Sequence, residues 1–264
     1  MPNLANHQSR SFTKLLVTGD SKTGKTGALS SLVKAGYKLR ILDYDNGLDV
    51  LSQYVNKICP KEIGNVEFRT LRDQRKAGPN GPEIIGSPKA FADGLKMLDR
   101  WKYGDVDLGI PSSWGAECIL VLDSLTFFSD AAFDFRESMA PRGSSGKYDI
   151  RAVYKDAQDA VENTLGLLTG ESFRTNVIVI SHARYMEQPD GHTKGYPVSV
   201  GSALSPAIPR YFNNYVRFVT KGGKRKIETS TSAMFDLANA RPFDLSKDFE
   251  LENGMAEIFE KLRS

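Results

Sequence analysis

Short apolar runs alternate along the chain with longer segments whose apolar residues recur every three or four positions. The apolar runs, rich in Leu, Ile and Val, predict buried β-strands, and the longer amphipathic segments predict helices. The predicted strands are Lys14 to Thr18, Lys38 to Asp43, Val66 to Leu71, Cys118 to Leu122 and Val177 to Ser181. The predicted helices are Lys25 to Ala35, Pro88 to Lys102 and Ile150 to Leu168. This alternation is typical of an α/β fold with a mostly parallel sheet.

Three segments between these elements are rich in Gly, Pro, Ser and charged residues, and we expect them to be loops at residues 72–88, 138–149 and 183–203. Farther along, YVRFVTKGGKRKIET predicts a β-hairpin within residues 215–231 that turns at Gly222 and Gly223. With no internal repeat, the chain is expected to form a single domain over 1–264, and residues 1–13 to form a short polar N-terminal segment.

Composition narrows the class of protein. The 264 residues are 40% hydrophobic and 25% charged, as in ordinary globular proteins. No apolar run approaches the roughly 20 residues of a membrane span, and no secretory signal begins the chain. Two distant cysteines favour a reducing cytoplasm over a disulfide framework or a zinc site. The net charge of +3 is too small to establish a nucleic-acid partner.

The octapeptide GDSKTGKT satisfies the phosphate-loop pattern G-x-x-x-x-G-K-[ST], and it follows a predicted strand and begins a predicted helix. In that context backbone N–H groups surround the phosphates of a nucleotide, for which ATP is the expected ligand. Lys25, in an exposed loop, would reach the β- and γ-phosphates, and the Thr26 hydroxyl would ligate Mg²⁺. The alternative is a flexible glycine turn. The predicted nucleotide-binding residues are Gly19, Asp20, Ser21, Lys22, Thr23, Gly24, Lys25, Thr26 and Gly27.

Aspartates follow two of the predicted strands. Asp123 ends the run ILVLD, where it would hold Mg²⁺ through a water or, alternatively, cap the next helix. Asp43 and Asp45 end the run LRILDYD, and one of them would orient or deprotonate an attacking water. Either could instead be an aspartate that starts a loop.

From Leu15 to Thr229 the sequence resembles the RecA-type ATPases, and most closely the small phage-encoded Sak-type annealing group. The resemblance implies a RecA-like P-loop fold and rests on GDSKTGKT, ILDYDNGLDVL, ILVLDSLT and NVIVISH. It implies that Asp45 is the catalytic base, where relatives more often carry glutamate. It also implies that His182, at a position usually held by glutamine, senses the γ-phosphate. A strand-end histidine bonded to backbone is the alternative for His182.

The resemblance further implies that 138–149 and 183–203 are DNA-binding loops. Their basic and aromatic residues would contact phosphates and stack on unpaired bases. The hairpin lysines Lys224 and Lys226 would share a face and act on the nucleotide of a neighbouring subunit; solvated charges at a strand edge are the alternative. The candidate nucleic-acid residues are Arg142, Lys147, Arg184, Tyr185, Lys194 and Tyr196.

The expected function is therefore a DNA-stimulated, Mg²⁺-dependent ATPase that binds single-stranded DNA for phage recombination or annealing. Its expected partners are other copies of itself, with nucleotide at the interface, and a phage single-strand-binding protein; no membrane partner is expected, and the location is the host cytoplasm. A hexameric helicase-type motor, a P-loop small-molecule kinase and a nucleotide-gated binding module with little turnover remain alternatives. The absence of Asn-Lys-x-Asp argues against a GTPase.

Overall fold

The computed structural model describes residues 11–79, 81–144 and 146–263. Its helices are α1 Lys25–Ala28, α2 Ser30–Lys34, α3 Asp49–Ile58, α4 Ala90–Asp99, α5 Leu125–Met139, α6 Ile150–Thr169 and α7 Leu251–Arg263. Its strands are β1 Lys14–Gly19, β2 Lys38–Asp43, β3 Val66–Thr70, β4 Arg75–Gly78, β5 Gly81–Ile84, β6 Trp101–Tyr103, β7 Val106–Gly109, β8 Gly115–Asp123, β9 Thr175–Glu187, β10 Thr193–Pro197, β11 Asn214–Lys221, β12 Lys224–Glu228 and β13 Phe249–Glu250.

One large sheet has the strand order β13-β12-β11-β1-β9-β8-β2-β3, and β10 pairs with β9. The strands from β11 to β3 are parallel, whereas β12 and β13 are added antiparallel. This arrangement confirms the predicted α/β fold, with a mostly parallel central sheet flanked by helices and the β-hairpin added at its edge. Because the parallel strands run in one direction, the carboxyl ends of β1, β2 and β8 lie close together at one edge, beside His182 within β9.

Apolar side chains cover both faces of the parallel strands, which explains their continuous hydrophobic runs. Leu16 of β1 faces a core shared with α4, α5 and α6, while Leu15 and Val17 face a second core shared with α1, α2, α3 and α7. Since successive residues of a strand point to opposite faces, one short run serves both cores. The sheet is therefore the middle layer of the fold, with one core on each face, and this packing fixes the positions of the residues at its carboxyl edge.

Helix boundaries agree with the sequence in part. The predicted helix at Ile150 begins there, because the Asp149 carboxylate caps the first turn by accepting from the N–H of Arg151. The predicted helix from Lys25 to Ala35 is instead two short helices, α1 and α2. The hydrophobic pattern did not predict the spans of α3, α5 and α7. In α5 the buried residues Leu125, Phe128, Ser129 and Ala132 have helical spacing. One of them is polar, and further phenylalanines lie on other faces of the helix, so the hydrophobic pattern of the sequence does not show a helical period.

Two predicted loops are wrong in large part. Within 183–203, β9 continues past the sheet to Glu187 and pairs with β10, and Gly191 at φ 81° forms the turn of this β9–β10 hairpin. Within 72–88, β4 and β5 form a second small hairpin. Loop composition misleads here because each hairpin is stabilised by pairing between its own strands.

The first ten residues of the predicted polar segment 1–13 lie outside the described residues. Among the helices described, none is long and apolar enough to cross a membrane.

Candidate functional site

The GDSKTGKT segment joins β1 to α1 at the carboxyl edge of the sheet. Its turn requires glycine at two positions. A Cβ on Gly19 would lie 2.4 Å from the Phe218 carbonyl oxygen, and Gly24 has φ 96°, which side chains rarely adopt. The segment therefore has the strand–loop–helix geometry of a phosphate loop, and its glycines are required by that geometry.

Lys25 is buried, with 7% of its surface exposed, and not exposed as the sequence suggested. Its ammonium donates to the carbonyl oxygens of Gly19 and Asp20, each at 2.8 Å. Burial lowers the pKa of Lys25, and the nearby Asp123 carboxylate opposes that shift most strongly. The ammonium thus lies within the loop, and its hydrogen-bond partners among the described residues are carbonyl oxygens that a phosphate oxygen can replace.

Thr26 and Asp123 meet although they are far apart in sequence. The Thr26 hydroxyl donates to Asp123 Oδ2 at 2.8 Å. Asp123 is buried, and its Oδ1 has no hydrogen-bond partner among the described residues. Burial raises the pKa of Asp123 to about 7, despite the hydrogen bond from Thr26. A hydroxyl beside an unpaired carboxylate oxygen is an all-oxygen donor set that suits Mg²⁺.

The two aspartates at the carboxyl end of β2 have different surroundings. Asp43 is buried and accepts from the Asn46 N–H at 2.7 Å and from the Thr70 hydroxyl at 3.0 Å. These contacts tie down the β2 and β3 ends, which is a structural role. Asp45 lies beyond the strand end, and its carboxylate is 4.0 Å from His182 Nε2. Of the two, Asp45 is the one whose carboxylate lies beside His182.

His182 lies directly across from Gly19 in the register of β9 and β1. Its backbone N–H donates to the Thr126 hydroxyl at 3.1 Å, and its Nδ1 is 3.3 Å from the same oxygen. Phe127 packs edge-on against the ring at 5.9 Å. Burial and the nearby Lys25 ammonium lower the pKa of His182, so the imidazole is neutral at pH 7. Sequence reasoning missed Thr126, whose signal is its position three residues after Asp123.

The other residues predicted to bind nucleotide lie along the same loop. Lys22 is exposed with φ 67°, and the Thr23 hydroxyl donates to the Asp20 carbonyl oxygen at 2.8 Å. Gly27 packs against Tyr54 of α3, since a Cβ there would lie 2.9 Å from its ring. Ser21 is exposed. These residues form one continuous segment around the Lys25 ammonium.

The predicted hairpin of β11 and β12 is confirmed, with its turn at Gly222 and Gly223. Lys224 and Lys226 lie on the same face of β12 because they alternate along the strand. Lys224 is exposed, and the Lys226 ammonium is 3.7 Å from Glu250 of β13. The intervening Arg225 extends from the opposite face.

The candidate nucleic-acid residues of 138–149 lie in the segment between α5 and α6. Arg142 and Lys147 are exposed there. The Arg142 guanidinium lies over the ring of Tyr148, 5.7 Å from its centroid, and the Tyr148 hydroxyl hydrogen-bonds Glu137. A cation held over an aromatic ring at an exposed position suits a nucleic-acid strand.

The β9–β10 hairpin separates its candidates. Arg184 and Tyr196 are directly paired and so share one face, whereas Tyr185 is paired with Gly195 and lies on the other face. Tyr185 packs edge-on against Phe235 and hydrogen-bonds Asp20 of the phosphate loop. Its hydroxyl is therefore already engaged, and the two tyrosines cannot form one stacking surface. Lys194 is ion-paired with Asp236 at 2.6 Å.

Comparison with known proteins gives one family match. The AAA domain profile matches residues 11–239, from the residues before β1 to beyond the β11–β12 hairpin. Similar solved structures include the RadB recombinase, at a TM-score of 0.42 and 16% identity over 81% of this chain and 79% of that one. They also include the ATPase EscN from enteropathogenic E. coli, at a TM-score of 0.43 and 11% identity over 80% of this chain and 44% of that one. No curated protein sequence matches the chain.

Proposed function

The chain belongs to the AAA domain family, and on that premise we propose that it hydrolyses ATP at the Gly19–Thr26 loop and couples hydrolysis to binding of single-stranded DNA. The role that its resemblance implies is phage homologous recombination or annealing. We place the protein in the host cytoplasm, working as a homo-oligomer with nucleotide at the subunit interface and beside a phage single-strand-binding protein.

The observation that carries the proposal is the convergence of Lys25, Thr26 and Asp123. The Lys25 ammonium exchanges its bonds to loop carbonyls for bonds to phosphate oxygens, which are stronger acceptors because they are charged. Thr26 and Asp123 hold Mg²⁺, for which the unpaired Oδ1 of Asp123 remains available. Mg²⁺, when bound, neutralises charge on the β- and γ-phosphates. These residues act on the β- and γ-phosphates of ATP. Other groups must position the attacking water.

Asp45 and His182 supply the second half of the reaction. The Asp45 carboxylate accepts a proton from, or orients, the attacking water, and His182 donates a hydrogen bond to the γ-phosphate. Their 4.0 Å separation allows both to touch one reacting centre. The second set of cations, Lys224 and Lys226, acts on the nucleotide of a neighbouring subunit and stabilises charge on the transferring phosphoryl group.

Single-stranded DNA binds across the segments 138–149 and 183–203. Arg184 lines a cleft of about 560 Å³ together with the exposed Tyr154, and its paired Tyr196 lies beside it on the same face. His182 and Arg184 are two residues apart on β9, so the ATP site and the DNA surface share a strand. This shared strand is the support for reciprocal coupling between the two ligands.

The test is ATP turnover with and without single-stranded DNA, compared between the wild type and Lys25→Ala. We expect turnover that DNA stimulates in the wild type and that Lys25→Ala abolishes. Since Lys25 is buried and makes two hydrogen bonds, thermal unfolding of the variant must be measured beside it, with Lys25→Arg as a charge-preserving control. Nucleotide binding with little turnover would favour the gated module, and phosphate transfer to a small molecule would favour the kinase.

A further inference from the structure

Three consecutive basic residues of β12 face different surroundings. Arg225 shares a strand face with the buried Ile227, which packs against Gly254 of α7. Lys224 and Lys226 point to the other face. The side of β12 that carries Arg225 is therefore the side on which α7 and the phosphate loop of the same subunit lie.

The stem of Arg225 lies directly on the phosphate loop. A Cβ built on Gly24 would be 3.3 Å from Arg225 Cδ and 2.9 Å from Leu251 Cδ2. Because Nε is bonded to Cδ, the guanidinium begins one bond beyond this contact. The absence of a side chain at Gly24 is thus what lets Arg225 approach the loop.

The Arg225 guanidinium has no protein partner in the part of the chain that the structure describes. Its neighbours are paired, since Lys221 lies 2.5 Å from Glu228 and Lys226 lies 3.7 Å from Glu250. No hydrogen bond or ion pair within residues 11–79, 81–144 and 146–263 engages the Arg225 side chain, and the residue is exposed. An unpaired, planar donor group at a phosphate loop is suited to bidentate contact with phosphate oxygens.

We infer that Arg225 binds the diphosphate part of the nucleotide in its own subunit. The loop N–H groups around Gly24 surround the α- and β-phosphates in sites of this type, and these groups are common to ATP and ADP. Arg225 therefore adds affinity that is equal before and after hydrolysis. It differs in this from Lys224 and Lys226, whose proposed action is on the neighbour's phosphoryl transfer. The inference rests on nucleotide binding at the loop proposed above.

The experiment is titration of the full chain with ADP, with a non-hydrolysable ATP analogue and with inorganic pyrophosphate. Loss of charge-assisted hydrogen bonds predicts that Arg225→Ala weakens all three by about 10- to 100-fold. Arg225→Lys should recover part of the loss, because it keeps the positive charge. Recovery should be incomplete, because an ammonium cannot make the bidentate contact of a guanidinium. The matched control is Arg174→Ala, which removes another exposed arginine just before β9, at the opposite edge of the sheet, and should leave all three affinities within about twofold.

The outcomes separate this inference from the proposed function. A wild type that binds no nucleotide would refute both the proposed function and the role of Arg225. A wild type that binds ADP, with Arg225→Ala and Arg174→Ala equal to it, would overturn the role of Arg225 alone. Weaker ADP binding with unchanged pyrophosphate binding would also overturn it, because the guanidinium would then contact the base or ribose. In steady-state turnover, a diphosphate contact predicts a higher KM for ATP at an unchanged kcat.

Discussion

Tyr185 on the β9–β10 hairpin and Asp20 on the phosphate loop are joined by hydrogen bonds, with the phenol oxygen 3.0 and 3.1 Å from the two carboxylate oxygens. Arg217 of β11 donates to the same phenol oxygen at 3.2 Å, and its guanidinium lies over Phe235. The phosphate loop and the β9–β10 hairpin are thus in direct contact. A phosphate arriving beside Asp20 would repel its carboxylate and weaken this contact.

The first prediction concerns this contact. Tyr185→Phe removes only the hydroxyl, and we expect amide hydrogen exchange across 183–197 to rise about fivefold, since a half-exposed bond to a carboxylate contributes about 1 kcal/mol. Nucleotide should raise exchange in the wild type and have little further effect in the variant. Hydrogen-exchange mass spectrometry measures both. Tyr196→Phe, on the opposite face of the hairpin, is the control, and equal exchange in wild type and Tyr185→Phe would refute the prediction.

Asp45→Asn should retain ATP binding but slow hydrolysis by about two to four orders of magnitude, as expected for loss of a general base. Asp43→Asn is the matched comparison, since Asp43 bonds Thr70 and the Asn46 N–H. We expect it to lower the thermal unfolding temperature and to affect turnover less. Single-turnover kinetics and nucleotide binding measure the difference. An equal loss of ATP binding in both variants would make Asp45 a structural residue as well.

The lysine pair is tested by mixing variants. A protein with Lys224→Ala and Lys226→Ala should bind ATP but not hydrolyse it, because these cations belong to the neighbour's site. When it is mixed with Lys25→Ala protein, some interfaces should combine an intact loop with intact lysines. Turnover should therefore reappear in the mixture. If it does not, under conditions where the wild type assembles, the lysines are solvated edge charges.

DNA binding should weaken with salt by about 0.7 log units per tenfold salt for each phosphate contact. Arg184→Ala should reduce that slope by about one contact. Tyr196→Ala should cost about 1 to 3 kcal/mol at every salt concentration, as expected for lost base stacking. Titrations of a labelled oligonucleotide, with and without an ATP analogue, measure these effects. The proposal fails if duplex binds equally well, or if the analogue leaves affinity unchanged.

A pH prediction follows from Lys14, whose ammonium donates to the carbonyl oxygens of Phe173 and Thr175 at 2.6 and 2.7 Å. Burial lowers the pKa of Lys14 to about 7. Between pH 7 and about 10.5 the unfolded chain binds this proton and the folded chain does not, so stability rises with pH in that window. Below pH 7 both the folded and the unfolded chain bind the proton, so the full cost of burying a charged amine lowers the free energy of unfolding and no longer changes with pH.

Relative to Lys14→Met, the wild-type free energy of unfolding should therefore rise by up to about 1.4 kcal/mol per pH unit between pH 7 and 10.5. Urea unfolding of both proteins at pH 6.5, 8 and 9.5 measures the difference. A constant difference across these values would mean that the carbonyl contacts keep the amine charged in the folded protein.

The sequence by itself determined the parallel sheet, the phosphate loop, the position of Asp123 and the hairpin turn at Gly222 and Gly223. Each is a local signal: a continuous apolar run, a fixed spacing of Gly and Lys, or a glycine pair between two strands. Such patterns are readable because the physics that produces them acts over a few residues. The same patterns could not choose between Asp43 and Asp45, since both lie at the carboxyl end of the same strand.

Tertiary structure decided which distant residues meet. Strand order places His182 across from Gly19, and sheet packing buries Lys25. The extension of β9 beyond the sheet brings Tyr185 to Asp20, 165 residues away along the chain. The pairing of β12 with β11 turns Arg225 toward Gly24 and its two lysine neighbours away. None of these contacts has a local signature, because each depends on how several strands are ordered and registered, and that order emerges only when the two cores are packed.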